Sequence, residues 1–250
     1  MFSLPTLAIL AAAIVATSFL SGIFGMAGGM VLMGLLLALM PLPSAMVLHG
    51  ITQMTSNGWR AWVWRAHVAW GIVGRFAAGS LLSALGFAAV AVLPSKGVAL
   101  LILGLTPFLA LALPAHARLN VVRPMHAVAG GAICMVLQLL AGVSGPILDT
   151  FFVQSGLGRR GIVATKAAVQ TLGHFVKLVY FGAALAVIGG ELSPLVVVMA
   201  IGLAIVGTQT SRHVLERISD EQFRRWSRGI IMALSIAYVG QGVYLLHAGS

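Results

Sequence analysis

Charged residues are scarce in this sequence. Only 8% of its 250 residues are charged, whereas about a quarter of the residues of a soluble domain are. Hydrophobic residues make up 60% of the chain, and the mean hydropathy is +1.04. This composition excludes a soluble globular domain and predicts a polytopic membrane protein built as an all-α helical bundle.

Cysteine is almost absent as well. The single cysteine, Cys134, lies in an apolar run, so an intramolecular disulfide is excluded and packing is its expected role. The sequence also lacks a Cys-x-x-Cys pair, a cluster of metal-ligating residues and a nucleotide-binding loop. We therefore expect no metal or cofactor site, and a primary pump would need a separate ATP-hydrolysing subunit.

Acidic residues are few, with five against fifteen basic residues, so the formal net charge is +10. Such an excess is typical of proteins that bind nucleic acid or anionic lipid, and also of membrane proteins whose basic residues stay on the cytoplasmic side. In so apolar a chain we favour the topological explanation and expect no nucleic-acid partner.

Ten apolar segments follow one another along the chain. A membrane-spanning helix needs about 20 residues, and two of the segments, 27–40 and 146–157, are shorter than that. We interpret each of the two as one half of a broken hairpin that enters the membrane and returns, and leave a full crossing open. The ten segments are 4–22, 27–40, 44–60, 68–86, 92–113, 124–142, 146–157, 161–188, 193–212 and 226–247.

Placing the N-terminus outside puts most basic residues on the cytoplasmic side, as the positive-inside rule requires. Only Lys96 then lies outside, while Arg75, Lys166 and Lys177 fall within segments. The C-terminus also ends outside, and the expected location is a bacterial-type cytoplasmic (inner) membrane. The cluster at 212–228 also suits anionic lipid head groups, although topology alone explains it. The basic residues expected inside are Arg60, Arg65, Arg118, Arg123, Arg159, Arg160, Arg212, Arg217, Arg224, Arg225 and Arg228.

Two glycine-containing motifs interrupt the apolar runs. The first break is Gly25-Met-Ala-Gly28-Gly29, and the second break is Gly142-Val-Ser-Gly145-Pro146. Glycine and proline stop helices, and backbone freed inside a membrane persists only where protein buries it or where it lines a cavity. One interpretation is that these glycines only let helices pack closely. Because the breaks occupy matching places in two halves, we favour a transporter's binding site.

The two halves share a repeat with an offset of 117 positions. Each half holds five segments, an odd number, so the second half starts on the opposite side of the membrane and the repeats are inverted. The sequence thus predicts a first repeat over 1–113, a cytoplasmic linker over 114–123 and a second repeat over 124–250. The matched pairs are Gly25 and Gly142, Gly28 and Gly145, His49 and Lys166, Gln53 and Gln170, Asn57 and His174, and Arg60 and Lys177.

The motifs resemble those of the sulfite exporter TauE/SafE family of membrane permeases. The resemblance lies in Gly25–Gly29 with Pro41 and Pro43 beyond it, in the turn from Trp64 to Trp70, and in Gly142–Leu148. It implies a transporter of small sulfur-containing anions such as sulfite or organosulfonates, with export driven by the proton gradient. The chain departs from the family pattern at Ala27 and Ser144, where glycine is common, and at Asp149, where the family is usually apolar.

The breaks offer backbone donors to an anion. The first amides of a helix have no intrahelical partner, and the helix dipole adds partial positive charge there. The donors would be the amides around Gly28 and Gly29 and those of Ser144 and Gly145, whereas Pro146 has none. The Ser144 hydroxyl either adds a bond to the anion or caps the short segment that follows.

Polar side chains form one stripe in each half, on the helix that follows the break. Residues four apart share a helix face, and polar groups in a membrane usually face the bundle interior or a wet path. The stripes either line the substrate path or make hydrogen bonds between helices. Their members are His49, Gln53 and Asn57 in the first half and Lys166, Gln170 and His174 in the second.

Charged groups inside the segments need a partner. Lys166 either reaches the cytoplasmic interface or offers its charge to an anion, while Lys177 and Arg75 lie deeper. Asp149 is the acidic residue within the membrane, and it either pairs with Lys166 or Lys177, carries protons or caps a helix. His49 and His174 are alternative proton carriers.

We therefore predict a secondary transporter of a small sulfur-containing anion, not an enzyme. Its expected partners are the anion, membrane lipid and protons, and a homodimer is left open. Two alternatives are a scaffold without transport and an intramembrane enzyme using Ser144, His174 and Asp149, although no nucleophile elbow is present.

Overall fold

Ten α-helices, α1 to α10, make up the computed structural model, which describes residues 3–24, 27–190, 192–215 and 220–249. No strand occurs within those ranges. Short 3₁₀ turns lie at Arg65–His67 and Ala115–Ala117. The helices are α1 Leu4–Phe24, α2 Ala27–Leu39, α3 Leu42–Val63, α4 Trp70–Val90, α5 Lys96–Ala112, α6 Pro124–Ala141, α7 Gly145–Phe152, α8 Arg159–Val187, α9 Pro194–Leu215 and α10 Asp220–His247.

The ten helices correspond one to one with the ten predicted segments, and the all-α fold is confirmed. The helix α7 ends at Phe152, five positions before the predicted end of its segment at 157. Gly25 and Met26 of the first break and Arg217 of the basic cluster lie outside the described residues.

Proline and glycine set the ends of the helices around the breaks. Pro43 and Pro124 stand in the first turns of α3 and α6, where the missing amide costs no hydrogen bond. Gly142 ends α6 in the left-handed conformation with φ 78°, and its amide donates to the carbonyl of Gln138. A residue with a Cβ is strained there, so glycine is what allows the chain to leave α6 and enter the second break.

Within the described part of the chain, six helices are long and apolar enough to cross a membrane: α1, α4, α6, α8, α9 and α10. At a rise of 1.5 Å per residue, α2 is about 20 Å long and α7 about 12 Å, against a hydrocarbon core of about 30 Å. Neither short helix can cross by itself. Their ends must therefore lie within the bundle, where protein satisfies the backbone.

The helix α2 is buried by its neighbours, as a break in hydrocarbon requires. Most of its residues are shielded, including Met30, Met33 and Leu36, which have no exposed surface. The outer helices instead expose large apolar side chains such as Leu82 and Val198. This distribution is that of a protein whose surroundings are lipid and whose interior holds α2.

Four helix pairs make the most extensive contacts: α1 with α9, α4 with α6, α3 with α8, and α5 with α10. If α1–α5 correspond in order to α6–α10, exchanging the halves turns the α1–α9 pair into the α6–α4 pair. The same exchange leaves the α3–α8 pair and the α5–α10 pair unchanged, because the two members of each pair swap places. This is the packing that a repeat of two exchangeable halves calls for, while their inverted direction through the membrane remains a prediction.

Candidate functional site

Buried polar side chains meet where α3 crosses α8. The Nζ atom of Lys177 lies 2.7 Å from Nδ1 of His49, and neither side chain has any exposed surface. The crossing is close because Gly50 of α3 faces the backbone of His174 and the side chain of Lys177. A small residue at this point lets the two helices approach and brings their polar stripes together.

Hydrogen bonds from this pair reach both breaks. His49 donates from Nε2 to the carbonyl oxygen of Gly29 over 2.9 Å, and Lys177 donates to the carbonyl oxygen of Gly142 over 3.1 Å. Because a carbonyl only accepts, Nε2 of His49 carries the ring proton and Nδ1 accepts from Lys177. A continuous chain of bonds thus joins the first turn of α2 to the end of α6.

A second set of bonds lies at the second break. Ser144 donates to Oε1 of Gln138 over 2.9 Å, and Nε2 of Gln138 donates to Nδ1 of His174 over 2.9 Å. The His174 ring lies beside the His49 ring, with centroids 5.4 Å apart. The two sets of bonds are therefore neighbours in one polar cluster.

The structure excludes capping as the role of the Ser144 hydroxyl. Ser144 occupies the N-cap position of α7, but its side chain makes no capping bond. A capping hydroxyl bonds the second or third amide of its helix, and the second position here is Pro146, which has no amide hydrogen. The hydroxyl turns to Gln138 instead.

A small cavity opens beside this second set of bonds. Its volume is about 10 Å³, close to what one water molecule requires. Both polar and apolar side chains line it, and the predicted residues Ser144 and Gln170 are among them. The lining residues are Phe76, Ser80, Cys134, Met135, Gln138, Ser144, Leu148, Val169, Gln170 and Gly173.

The first break has its own polar neighbours. The side-chain amide of Gln53 lies against Gly29, where a Cβ would be 3.3 Å from Oε1, and the Ser21 hydroxyl lies against Gly28. Both side chains are buried, yet Nε2 of Gln53 and Oγ of Ser21 have no hydrogen-bond partner among the residues that the structure describes. The predicted donors Gly28 and Gly29 are therefore accompanied by two unused polar groups.

Two basic residues of the repeat play the same local role in the two halves. Arg60 donates to the carbonyl oxygen of Ser21, in the last turn of α1, over 2.9 Å. Its mate Lys177 donates to the carbonyl of Gly142, directly after α6. A cation at the C-terminal end of a helix offsets the helix dipole and satisfies a free carbonyl. Each half thus uses one basic side chain to hold the helix that precedes its break.

Four of the predicted site residues lie outside these bonds. Asn57 donates to the carbonyl of Gln53 on its own helix over 2.9 Å. Asp149 forms an ion pair with Lys166, and both side chains are partly exposed. Arg75 is exposed on α4, and no described residue pairs with it. Of the two predicted partners of Asp149, the structure shows Lys166. Lys177 therefore has no carboxylate among its described partners.

Sequence reasoning missed two residues of the site, Ser21 and Gln138. Both precede their break on the helix that enters it, whereas the predicted polar stripes lie on the helix after the break. A signal was available, because Gln138 lies 117 positions after Ser21, the same offset that relates Gln53 to Gln170.

Comparison with known families agrees with this arrangement. A family model described as Sulfite exporter TauE/SafE matches residues 9–238 of the 250 residues, a range that includes both breaks and the α3–α8 crossing. No curated protein and no solved structure matches the chain. The family is one of membrane transporters and not of enzymes, and six helices suited to crossing a membrane fit a multi-pass protein. The chain belongs to the sulfite exporter TauE/SafE family.

Proposed function

We propose that this protein is a secondary transporter that exports a small sulfur-containing anion by alternating access about the two breaks. The observation that carries the proposal is the environment of Lys177. Its amine is fully buried, and its bonds go to a neutral imidazole and a carbonyl, with no carboxylate among its described partners. A buried cation without a counter-charge is costly, so the cluster is suited to receive an anion.

The donors around the cluster suit the oxygens of sulfite or of an organosulfonate. The amides at the start of α2 and at Gly145 lie at helix N-termini. There they lack an intrahelical partner, and the helix dipole adds partial positive charge that favours an anion. Side-chain amides of Gln53 and Gln170 add donors without adding charge, and the Ser144 hydroxyl would add another on releasing Oε1 of Gln138. The membership of the chain in its family supports sulfur-containing anions over other oxyanions.

The repeat supplies a route for alternating access. We propose that the halves 1–113 and 124–250, joined by the linker 114–123, rock about the α3–α8 crossing. The exchangeable packing of α1–α9 and α4–α6 supports this, since transporters with inverted repeats alternate by exchanging the arrangement of their halves. In this proposal both termini face the outside of a bacterial-type cytoplasmic membrane.

Protons are the coupling ion that the cluster supports best. His49, His174 and Lys177 lie together between the breaks, so an anion that enters can be balanced by a proton taken up on this group. Asp149 is the other candidate proton carrier. Because it forms an ion pair with Lys166 at a partly exposed position, we assign it a structural role instead. Charge balance then links movement of the anion to movement of the proton.

We expect purified protein in liposomes to move radiolabelled sulfite, and to do so faster when a pH gradient is imposed across the membrane. The physical reason is that the anion and the balancing proton move through one cluster. Protein-free liposomes and liposomes with equal pH on both sides are the controls. Absence of flux for sulfite and for sulfonates alike would contradict the proposed function and favour a scaffold without transport.

Replacing Gln53 and Gln170 together with leucine should reduce flux to the protein-free level. Each substitution removes a neutral donor at one break, and losing a hydrogen bond to a charged group costs about 1.5–3 kcal/mol. The matched control is the double replacement of Gln209 and Gln241 with leucine, two exposed glutamines on α9 and α10. Wild-type flux in the Gln53 and Gln170 variant would show that the substrate passes elsewhere.

A further inference from the structure

The Gln138 side chain joins a titratable ring to a hydroxyl at the second break. Its Nε2 atom lies 2.9 Å from Nδ1 of His174, and its Oε1 atom accepts from the Ser144 hydroxyl over 2.9 Å. Each of the three residues is at most 4% exposed. Because the amide nitrogen only donates, Nδ1 of His174 carries no proton in this arrangement. Gln138 therefore contacts a nitrogen that can take up a proton and also holds the hydroxyl hydrogen.

A proton on Nδ1 of His174 conflicts with this arrangement. Two N–H groups then face each other, and in a buried site a pair of donors without an acceptor is costly. Reversal of the Gln138 amide removes the conflict, because Oε1 then accepts from Nδ1–H and Nε2 donates to Oγ of Ser144. The last torsion of a glutamine has a broad energy profile, so the backbone does not have to move. The same reversal releases the hydroxyl hydrogen of Ser144.

The surroundings of the amide leave room for this reversal. Gly173 of α8 faces it, and a Cβ there would lie 3.3 Å from Nε2 of Gln138, closer than ordinary van der Waals contact. Gln138 and Ser144 also line the cavity of about 10 Å³ at the second break. A side chain at position 173 or a filled cavity would resist the movement, since protein interiors are otherwise closely packed.

The titratable groups around His174 are basic or neutral. The His49 ring of α3 has its centroid 5.4 Å from that of His174, Lys177 of α8 bonds to His49, and Cys134 of α6 lines the cavity. The helix α4 contributes only a phenylalanine and a serine there. The Asp149 carboxylate of α7 is held in an ion pair elsewhere on α8. No carboxylate among the described residues pairs with His174, so an anion at the second break is the group that balances a proton on its ring.

We propose that Gln138 couples proton uptake to anion binding: protonation of His174 at Nδ1 reverses the Gln138 amide and frees the Ser144 hydroxyl to donate to the anion. We call His174, Gln138 and Ser144 the Gln138 relay. The inference rests on the proposed function and adds to it the residue that joins the two ions. Gln138 is a positioning residue, and an amide suits this role because one end accepts and the other donates. A carboxylate would hold the hydroxyl hydrogen in both states.

The relay predicts that the Ser144 hydroxyl contributes to anion binding only when His174 is protonated. We expect Ser144→Ala to weaken binding of methanesulfonate by about tenfold or more at about pH 5, as for one lost bond to a charged group. At about pH 8, above the ordinary pKa of histidine, Gln138 holds the hydroxyl and the substitution should have little effect. Equilibrium binding of radiolabelled methanesulfonate to the purified full chain measures both values, and the charge of this probe is constant between them.

Gln138→Met supplies the second arm of the experiment. Methionine has a similar length but no amide, so the Ser144 hydroxyl is free at either pH. In this background Ser144→Ala should weaken binding by about the same factor at both pH values. The matched control is Ser83→Ala, which removes a hydroxyl that bonds from α4 to the carbonyl of Ala132 on α6, away from the cavity. The control should leave binding unchanged at both pH values.

The outcomes separate the relay from the proposed function. Binding by the wild type together with an equal effect of Ser144→Ala at the two pH values would overturn the relay and leave the transporter proposal standing. An effect that still depends on pH in Gln138→Met would also overturn the relay, because His174 would then act without Gln138. No binding of methanesulfonate or sulfite to the wild type at either pH would remove the proposed function and the relay with it. If Gln138→Met does not fold, the comparison of the two pH values in the wild-type background decides.

Discussion

Lys177→Met is expected to lower sulfite flux by about a hundredfold or more, because the substitution removes the buried charge between the two breaks. Two bonds to a charged group are lost, each worth about 1.5–3 kcal/mol, and about 3 kcal/mol already corresponds to a hundredfold change. Methionine has a similar length and carries no charge, so the folded chain no longer has to bury an unbalanced cation. Flux in liposomes and the midpoint of thermal unfolding measure the two effects separately.

The control for this experiment is Lys96→Met. Lys96 begins α5, outside the polar cluster, and its loss removes the same charge from the chain. We expect near-normal flux in the control and an unfolding midpoint for Lys177→Met close to that of the wild type. If Lys177→Met transported as well as Lys96→Met, the buried amine would have no part in transport and the proposal would lose its main support.

The substitution Gly28→Val should have the largest effect on folding. A Cβ at Gly28 would overlap the carbonyl oxygen of Thr17 and the backbone of Ser21, and backbone cannot move aside as the end of a side chain can. Forcing α2 away from α1 disturbs a helix most of whose residues are buried. Overpacking of this kind costs about 1–3 kcal/mol or more. With a fall of about 2–4 °C per kcal/mol, the unfolding midpoint should drop by about 2–12 °C.

Gly74→Val is the matched control. Gly74 lies on the exposed face of α4 with open space around the position of its missing Cβ. The same substitution there should leave the midpoint nearly unchanged. Equal losses at both positions would mean that the close approach of α1 and α2 is not what glycine provides at the first break.

The roles of Arg60 and Lys177 show how a repeat can diverge. Both hold the carbonyl end of the helix before a break, but only Lys177 also bonds to a histidine from the other half. A guanidinium with several fixed donors suits carbonyl binding, whereas a lysine amine is compact enough to serve a second partner at the crossing. The basic residue of the second half has thereby become part of the contact between the halves.

The sequence by itself determined that this is a polytopic membrane protein, and it determined where the two helix breaks lie. Apolar runs interrupted by glycine and proline predicted ten helices, because the cost of unpaired backbone in hydrocarbon leaves few other structures. The offset of 117 positions predicted which residues of the two halves correspond, and the motifs identified the family. These features depend on local chemistry and on order along the chain.

The tertiary structure decided which polar residues meet. Helical periodicity shows that His49 and Gln53 share a face, but it does not show how α3 is rotated against α8 or where the two cross. That geometry depends on the close approach at Gly50. It pairs His49 with Lys177, turns Ser144 toward Gln138, leaves Arg75 exposed and gives Asp149 to Lys166. Partners across a helix crossing follow from packing in three dimensions, which is why periodicity alone could not predict them.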